Sequence, residues 1–382
     1  MKKLDRDGVL GISGRIAPPV LALAFILSYW TAAGTVLIIP FCAWYAVFGW
    51  RKALRSVWVQ AVLGFFLLLA LKDFLSFLAG SGTFRSFAKS GSRGFVLLGA
   101  ASFLALYGKD KAEWVFLSAL AGVAAAMGIY WALFTAHLSL GWPKAFDETL
   151  QRNVPGQLSL WFPLGILLYA RKMEGRFAPV WRIAAFAFGE VFMIFLSLSG
   201  GWRVGPLAFA VLGLGLFLPW PRVRHYFVPS LLLLSLLALF GLMGTSDRRF
   251  NRLLFYRIDL WNAYAAKAME RPLLGWGYSE PERNKDLAAE DLKGTMAFEE
   301  FAQVGLGPHN AYIAMVFENG LVALAGFVAL LFFRAFSIRS PPSFFDLSFA
   351  AFIFLLALDA MNPGGLRFLG FFLSFCLIGD TE

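Results

Sequence analysis

The stretch SVWVQAVLGFFLLLALKDFLSFL, residues 56–78, decides the fold. Coiled as an α-helix with a rise of about 1.5 Å per residue, it covers roughly 34 Å, enough to cross the roughly 30 Å hydrocarbon core of a bilayer. Its only charges, Lys72 and Asp73, are neighbours in the chain and are expected to neutralise each other. A helix that is apolar all round has no face for water, so it belongs in a membrane or deep in a core.

Runs of the same kind recur on both sides of it. Residues 16–30, 32–50, 93–107, 113–135, 156–170, 181–199, 204–219, 226–244, 310–333, 343–361 and 364–379 complete a set of about twelve candidate spans. The composition agrees. Apolar residues reach about 66% once the 37 glycines are added to the hydrophobic 59% and the 10 tyrosines removed, against roughly 45–50% for soluble domains. Charged residues make up 15%, where about 25% is usual. These figures exclude an ordinary soluble enzyme and predict an all-α, polytopic bundle. Its parts are spans 1–9 within residues 1–244, a polar insert at 245–308, and spans 10–12 within 309–382, all read as one integrated domain.

Lys and Arg near span ends favour the cytoplasmic side. With the N-terminus (Lys2, Lys3, Arg6) inside and twelve spans counted, Arg51, Lys52 and Arg55 fall inside. So do Arg171, Lys172 and Arg176, then Arg222 and Arg224, then Arg334 and Arg339. Both termini are then cytoplasmic. Fusing the first two runs across Thr31 to Gly34 would instead move every later loop to the other side. The net charge of +10 thus reads as membrane topology, not as a surface for nucleic acid, and no nucleic-acid partner is expected. Cys42 and Cys376 both lie inside apolar runs, so neither a disulfide framework nor a zinc spacing is present. The first run carries no cleavage site and reads as a retained span.

The exceptions to the charge pattern are where function is sought. Arg85, Lys89, Arg93, Arg152, Arg203 and the whole of 245–308 fall outside. The insert carries nine Lys/Arg and ten Asp/Glu, too polar to span and too long for a simple connection. Ser246 or Asp247 can cap a helix running through RRFNRLLFYRIDLWNAYAAKAME to a stop at Pro272. On that helix Leu254, Trp261, Tyr264 and Ala268 lie within about 40° of Phe250 and form an apolar stripe. Arg257 falls about 20° from Phe250, inside the stripe, while Arg248, Arg249, Arg252, Asp259, Lys267 and Glu270 point elsewhere. A buried guanidinium needs a carboxylate, carbonyls or an anionic ligand. After Pro272, LLGWGYSEPE is rich in turn residues and is expected to fold over a site near the bilayer surface.

GLGPHNAYIAMVFENG places His309 at the start of the tenth span. An imidazole there suits proton transfer near neutral pH, or simply caps a helix at the interface. Glu318 lies nine positions on, about 180° around a continuous helix, so the two face apart unless Gly320 bends it. Glu318, Glu190 and Asp359 are read as polar packing inside the bundle, and His137 and His225 as interfacial. Arg203 follows small residues (Ser199, Gly200, Gly201) at the outer end of the seventh span, where a head group can approach. No Walker loop, zinc signature, nucleophile elbow or paired-carboxylate loop is present, so no nucleotide, metal or other cofactor is expected.

Three stretches together resemble the O-antigen ligase and O-antigen polymerase superfamily of integral membrane glycosyltransferases. They are SGGWRVGP around Arg203, RIDLWNAYAAKAMERPLLGWG at 257–277, and PHNAYIAMVFENG at 308–320. The likeness covers roughly the C-terminal half, and Gly-Trp stands before the first arginine where many members have Ser-Arg. It implies about a dozen helices with a helical periplasmic insert between spans 9 and 10. It implies a metal-independent, inverting transfer of a glycan from polyprenyl (undecaprenyl) diphosphate at the periplasmic face of a bacterial inner membrane. The acceptor would be a sugar of lipid A core in a ligase, another lipid-linked repeat unit in a polymerase, or a side chain in a protein O-oligosaccharyltransferase; a flippase for lipid-linked sugars is the non-enzymatic reading. By position, Arg203 and Arg257 would hold the donor diphosphate and His309 would stand by the acceptor hydroxyl. Arg249, Arg271, Arg85 and Asn310 complete the expected substrate-binding set.

Overall fold

The computed structural model describes residues 11–17, 20, 33–80, 82–140, 183–184, 187–189, 191, 194, 221–243, 256–277, 292, 295, 310–338, 345–346, 348–349, 353 and 374–378. Among them every regular element is helical. Six helices are defined: α1 (Ala33–Ala53), α2 (Val57–Leu78), α3 (Phe84–Leu140), α4 (Pro221–Leu242), α5 (Arg257–Glu270) and α6 (Ala311–Phe336). The expected spans 156–170 and 204–219 lie outside the described residues. So does most of 16–30, 181–199, 343–361 and 364–379.

Local chemistry sets the ends of α2. Ser56, extended at φ −77° and ψ 119°, accepts the Val59 amide on its Oγ at 3.4 Å, satisfying one of the orphan N–H groups of the first turn. At the other end Gly80 takes φ 71° and its amide returns to the Phe77 carbonyl, the left-handed stop that glycine adopts without strain. The expected span at 56–78 is therefore matched nearly to the residue. Lys72 and Asp73 form the expected pair, with Nζ and Oδ1 3.1 Å apart.

One expectation holds and one is corrected. Residues 93–107 and 113–135 fall in two helical segments of α3, parted as expected just before Lys109, Asp110 and Lys111. The break between them is at Gly108, where φ is 75° and ψ 177°. The single helix expected through the insert is broken at Tyr256, which is left-handed (φ 57°, ψ 19°), so α5 begins at Arg257; the expected caps Ser246 and Asp247 lie outside the described residues.

α2 and α6 are long and apolar enough to cross a membrane, with mean hydropathies of 2.1 and 2.0. Only 28% and 33% of their most apolar windows are buried within the protein. The uncovered apolar surface that this leaves on both helices suits lipid better than water.

The described chain clusters into two compact units. One takes Met1–Leu54, Leu98–Phe217 and Arg367–Phe375, the other Arg55–Leu97, Leu218–Leu366 and Cys376–Glu382. In the first, glycines let helices touch. A Cβ on Gly99 would meet Cys42 at 2.6 Å, and one on Gly49 would meet the Ser102 carbonyl at 2.7 Å. The paired positions rise together along α1 and α3, so the two segments run roughly parallel. Tyr45, wedged between Phe41, Phe103 and Tyr107, fills the space beside them. In the second unit Trp58 stacks on Phe333, Phe65 on Phe327, and Lys72 reaches Asn319. As one number falls the other rises, so α2 and α6 are antiparallel. Arg334, near the end of α6, is buried at 2% exposure. Its guanidinium pairs with Asp346, donates from Nε to the Cys376 carbonyl, and lies over the Phe349 ring.

Candidate functional site

The second unit contains a helix broken inside its apolar run. Asn310 starts α6 by accepting the Tyr312 and Ile313 amides on Oδ1, at 2.9 and 3.1 Å. The helix then runs to Gly320, whose φ of 85° and ψ of 173° lie where only glycine is comfortable. The break frees backbone groups that apolar surroundings cannot satisfy. The turn after α5 supplies partners: Trp276 N donates to Phe317 O (2.8 Å), Gly277 N to Glu318 O (2.9 Å), and Leu321 N to Pro272 O (2.7 Å). Gly275 must also be glycine here. Its φ is 67°, and a Cβ would meet the Glu318 carbonyl at 2.7 Å.

Lys72 completes the joint from α2. Its ammonium donates to Glu318 O (3.1 Å), Asn319 Oδ1 (2.9 Å) and Leu274 O (3.3 Å), at the C-terminal end of the half-helix where a cation is favoured. Asp73 balances that charge and is fixed in turn by Ser90 of α3, whose hydroxyl donates to Oδ2 at 2.5 Å. Beside the joint is a cavity of about 330 Å³ lined by Asp73, Ser76, Gly82, Ser86 and the turn 271–277. At its wall the Arg271 guanidinium lies 4.1 Å from the centre of the Trp276 ring. The indole cannot swing, because Nε1 donates to the Lys267 carbonyl at 2.7 Å.

α5 packs against α6, with Tyr264 edge-on to Phe317 at 4.9 Å between ring centroids. Burial, and secondarily the nearby Glu318 carboxylate, pushes the Tyr264 phenol above its ordinary range. Trp261, Tyr264 and Ala268 are all buried, as the stripe requires. Arg257, the first residue of the helix, shares their face and is half-buried. The stripe thus stands from Arg257 onward, although Phe250 and Leu254 lie outside the described residues.

The expected site residues are placed as follows. Arg257 and Arg271 flank opposite ends of α5, roughly 20 Å apart along its axis, so they do not share one pocket. Asn310 is fully buried and its side-chain oxygen is committed to capping α6. Arg85 lies in the first turn of α3, next to the cavity-lining Ser86. Arg203, Arg249 and His309 lie outside the described residues. Sequence reasoning missed Asp73, Ser76, Ser86 and Asn319 as parts of a joint. The available signals were an ion pair inside an apolar run, and glycines at 275, 277 and 320 in the two stretches that meet. Among the described residues no cluster of three His, Cys, Asp or Glu side chains is placed to hold a metal ion.

No protein-family model, curated protein or solved structure matches this chain.

Proposed function

We propose that the chain is a polytopic glycosyltransferase of a bacterial inner membrane, moving a glycan from polyprenyl diphosphate to an acceptor sugar of lipid A core. The observation that carries this reading is the meeting of two motif stretches. Residues 257–277 and 308–320, which resemble the ligase and polymerase superfamily, lie far apart in sequence yet pair backbone to backbone at Trp276–Phe317 and Gly277–Glu318. Two unrelated likenesses would have no reason to fold against each other.

The proposed bundle has about twelve spans, cytoplasmic termini and the 245–308 insert in the periplasm. Support comes from helix directions within each unit. Spans of equal parity should run the same way, as α1 does with the paired part of α3, and spans of opposite parity should oppose, as α2 and α6 do.

In the proposed reaction an acceptor hydroxyl oxygen attacks the anomeric carbon and forms the new glycosidic bond with inversion. The bond from that carbon to the diphosphate oxygen breaks, and polyprenyl diphosphate leaves with the electron pair. Arg203 and Arg257 hold the diphosphate, where planar guanidinium forks stabilise the charge that grows on the leaving oxygen. His309 takes the proton lost by the acceptor hydroxyl. Removing one arginine donor should cost on the order of 10² to 10³ in rate, and removing the base roughly 10² to 10⁴.

The test is transfer by the purified full chain, supplied with lipid-linked glycan and lipid A core and read by gel shift of the product. Arg257→Ala should fold as wild type and lose transfer. Transfer at wild-type rate by that variant overturns the diphosphate role. Chain growth from lipid-linked units alone makes the protein a polymerase, and movement of lipid-linked sugar across a vesicle without a new glycosidic bond makes it a transporter.

A further inference from the structure

We propose that the cavity between the 271–277 turn and the junction of α2 with α3 is a second anion site, distinct from the donor site proposed at Arg257, and that it takes the phosphate of a membrane lipid headgroup. The cavity walls present two charged side chains, Asp73 and Arg271. Asp73 is 1% exposed and already neutralised by Lys72 at 3.1 Å. The charge left over is that of Arg271. Among the described residues its guanidinium meets only the Trp276 indole. That indole is anchored at its ring nitrogen and at its backbone amide. A guanidinium held on a fixed platform, with no other partner among the described residues, is suited to receive an anion and loses little entropy on binding.

The rim identifies the source of the phosphate. Leu273 and Leu274, next to Arg271 in the chain, are 65% and 64% exposed, and Leu78 and Phe84 on the facing helices are 64% and 60% exposed. Apolar side chains beside an arginine and a tryptophan are the pattern of a membrane interface. They suit acyl chains lying under a headgroup, and they would be wasted on a free inorganic ion. Ser76 and Ser86 also line the wall. The cavity stands at the end of α5 remote from Arg257, so the inference holds whether or not the chain transfers glycans.

The experiment is native mass spectrometry of the purified full chain released from nanodiscs of phosphatidylcholine with or without phosphatidylglycerol. Wild type should retain phosphatidylglycerol in preference to phosphatidylcholine. Arg271→Gln should weaken that retention about five- to tenfold, with Arg271→Lys between the two. Inorganic phosphate should displace neither lipid. Equal retention of the two lipids, unchanged retention by a folded Arg271→Gln, or displacement by inorganic phosphate overturns the proposal. A diazirine-bearing phosphatidylglycerol gives a reading on wild type alone, independent of any variant's folding. Crosslinks to the peptide containing 271–277 are expected, and their absence also overturns it.

Discussion

Replacing Gly320 with alanine should unfasten the joint between α6 and the insert. At φ 85° and ψ 173° an L-residue is strained by about 1–3 kcal/mol. The new Cβ would also overlap the Leu273 carbonyl and approach Leu274 N to 2.8 Å. Two responses are open. If the turn holds its place, strain and overlap remain; if it moves off, the bonds Trp276–Phe317, Gly277–Glu318 and Leu321–Pro272 are lost at about 1 kcal/mol each. Either route costs about 3 kcal/mol or more, equivalent to over a hundredfold more frequent local opening. Hydrogen exchange of the full chain in detergent reads this at the amides of Trp276, Gly277 and Leu321. Gly64→Ala is the control, since a Cβ there meets nothing within 4 Å. Wild-type protection at all three amides in Gly320→Ala would refute the reasoning.

Lys72→Met leaves Asp73 buried without its cation and should destabilise by about 3–5 kcal/mol. Thermal unfolding should find the double variant Lys72→Met/Asp73→Asn closer to wild type than the single. Asn310→Ala removes the α6 cap and should cost about 1 kcal/mol. Asn310→Ser keeps a capping oxygen, so a loss of glycan transfer in that variant at wild-type stability would give Asn310 a substrate contact as well. The raised Tyr264 pKa favours the neutral phenol in the fold, so its stabilising share is full below the ordinary tyrosine pKa near 10 and is lost as pH rises beyond it. Alkaline unfolding curves should therefore be shallower in Tyr264→Phe, and superimposable curves would contradict the burial argument.

The sequence made the apolar helices legible because hydrophobic length needs no knowledge of partners. Residues 56–78 and 310–333 were bounded closely by their charged or capping neighbours, and they correspond to α2 and α6. The charges at Lys109 to Lys111 marked a true break, since the chain leaves the helical region at Gly108 just before them. The Phe250 stripe misled, since one left-handed residue, Tyr256, resets helical phase and periodicity cannot sense it. The Lys72–Asp73 pair was foreseen as neutralisation, but its task was not. Which carbonyls Lys72 would serve depended on the break at Gly320, a long-range fact absent from local pattern.

That break also explains why the turn after α5 cannot be treated as a loose loop. Inside an apolar helix each freed carbonyl or amide costs several kcal/mol unless something replaces its intrahelical partner. Three replacements come from residues 272–277 and one from Lys72, two separate parts of the chain. Loss of the turn would therefore expose polar backbone to lipid, and loss of the glycine would push the turn away. The two halves of the joint enforce each other, which gives α5, and Arg257 with it, a fixed seat on the membrane helices. A guanidinium meant to meet a diphosphate repeatedly in one geometry needs such a seat, whereas one serving only to solubilise an insert does not.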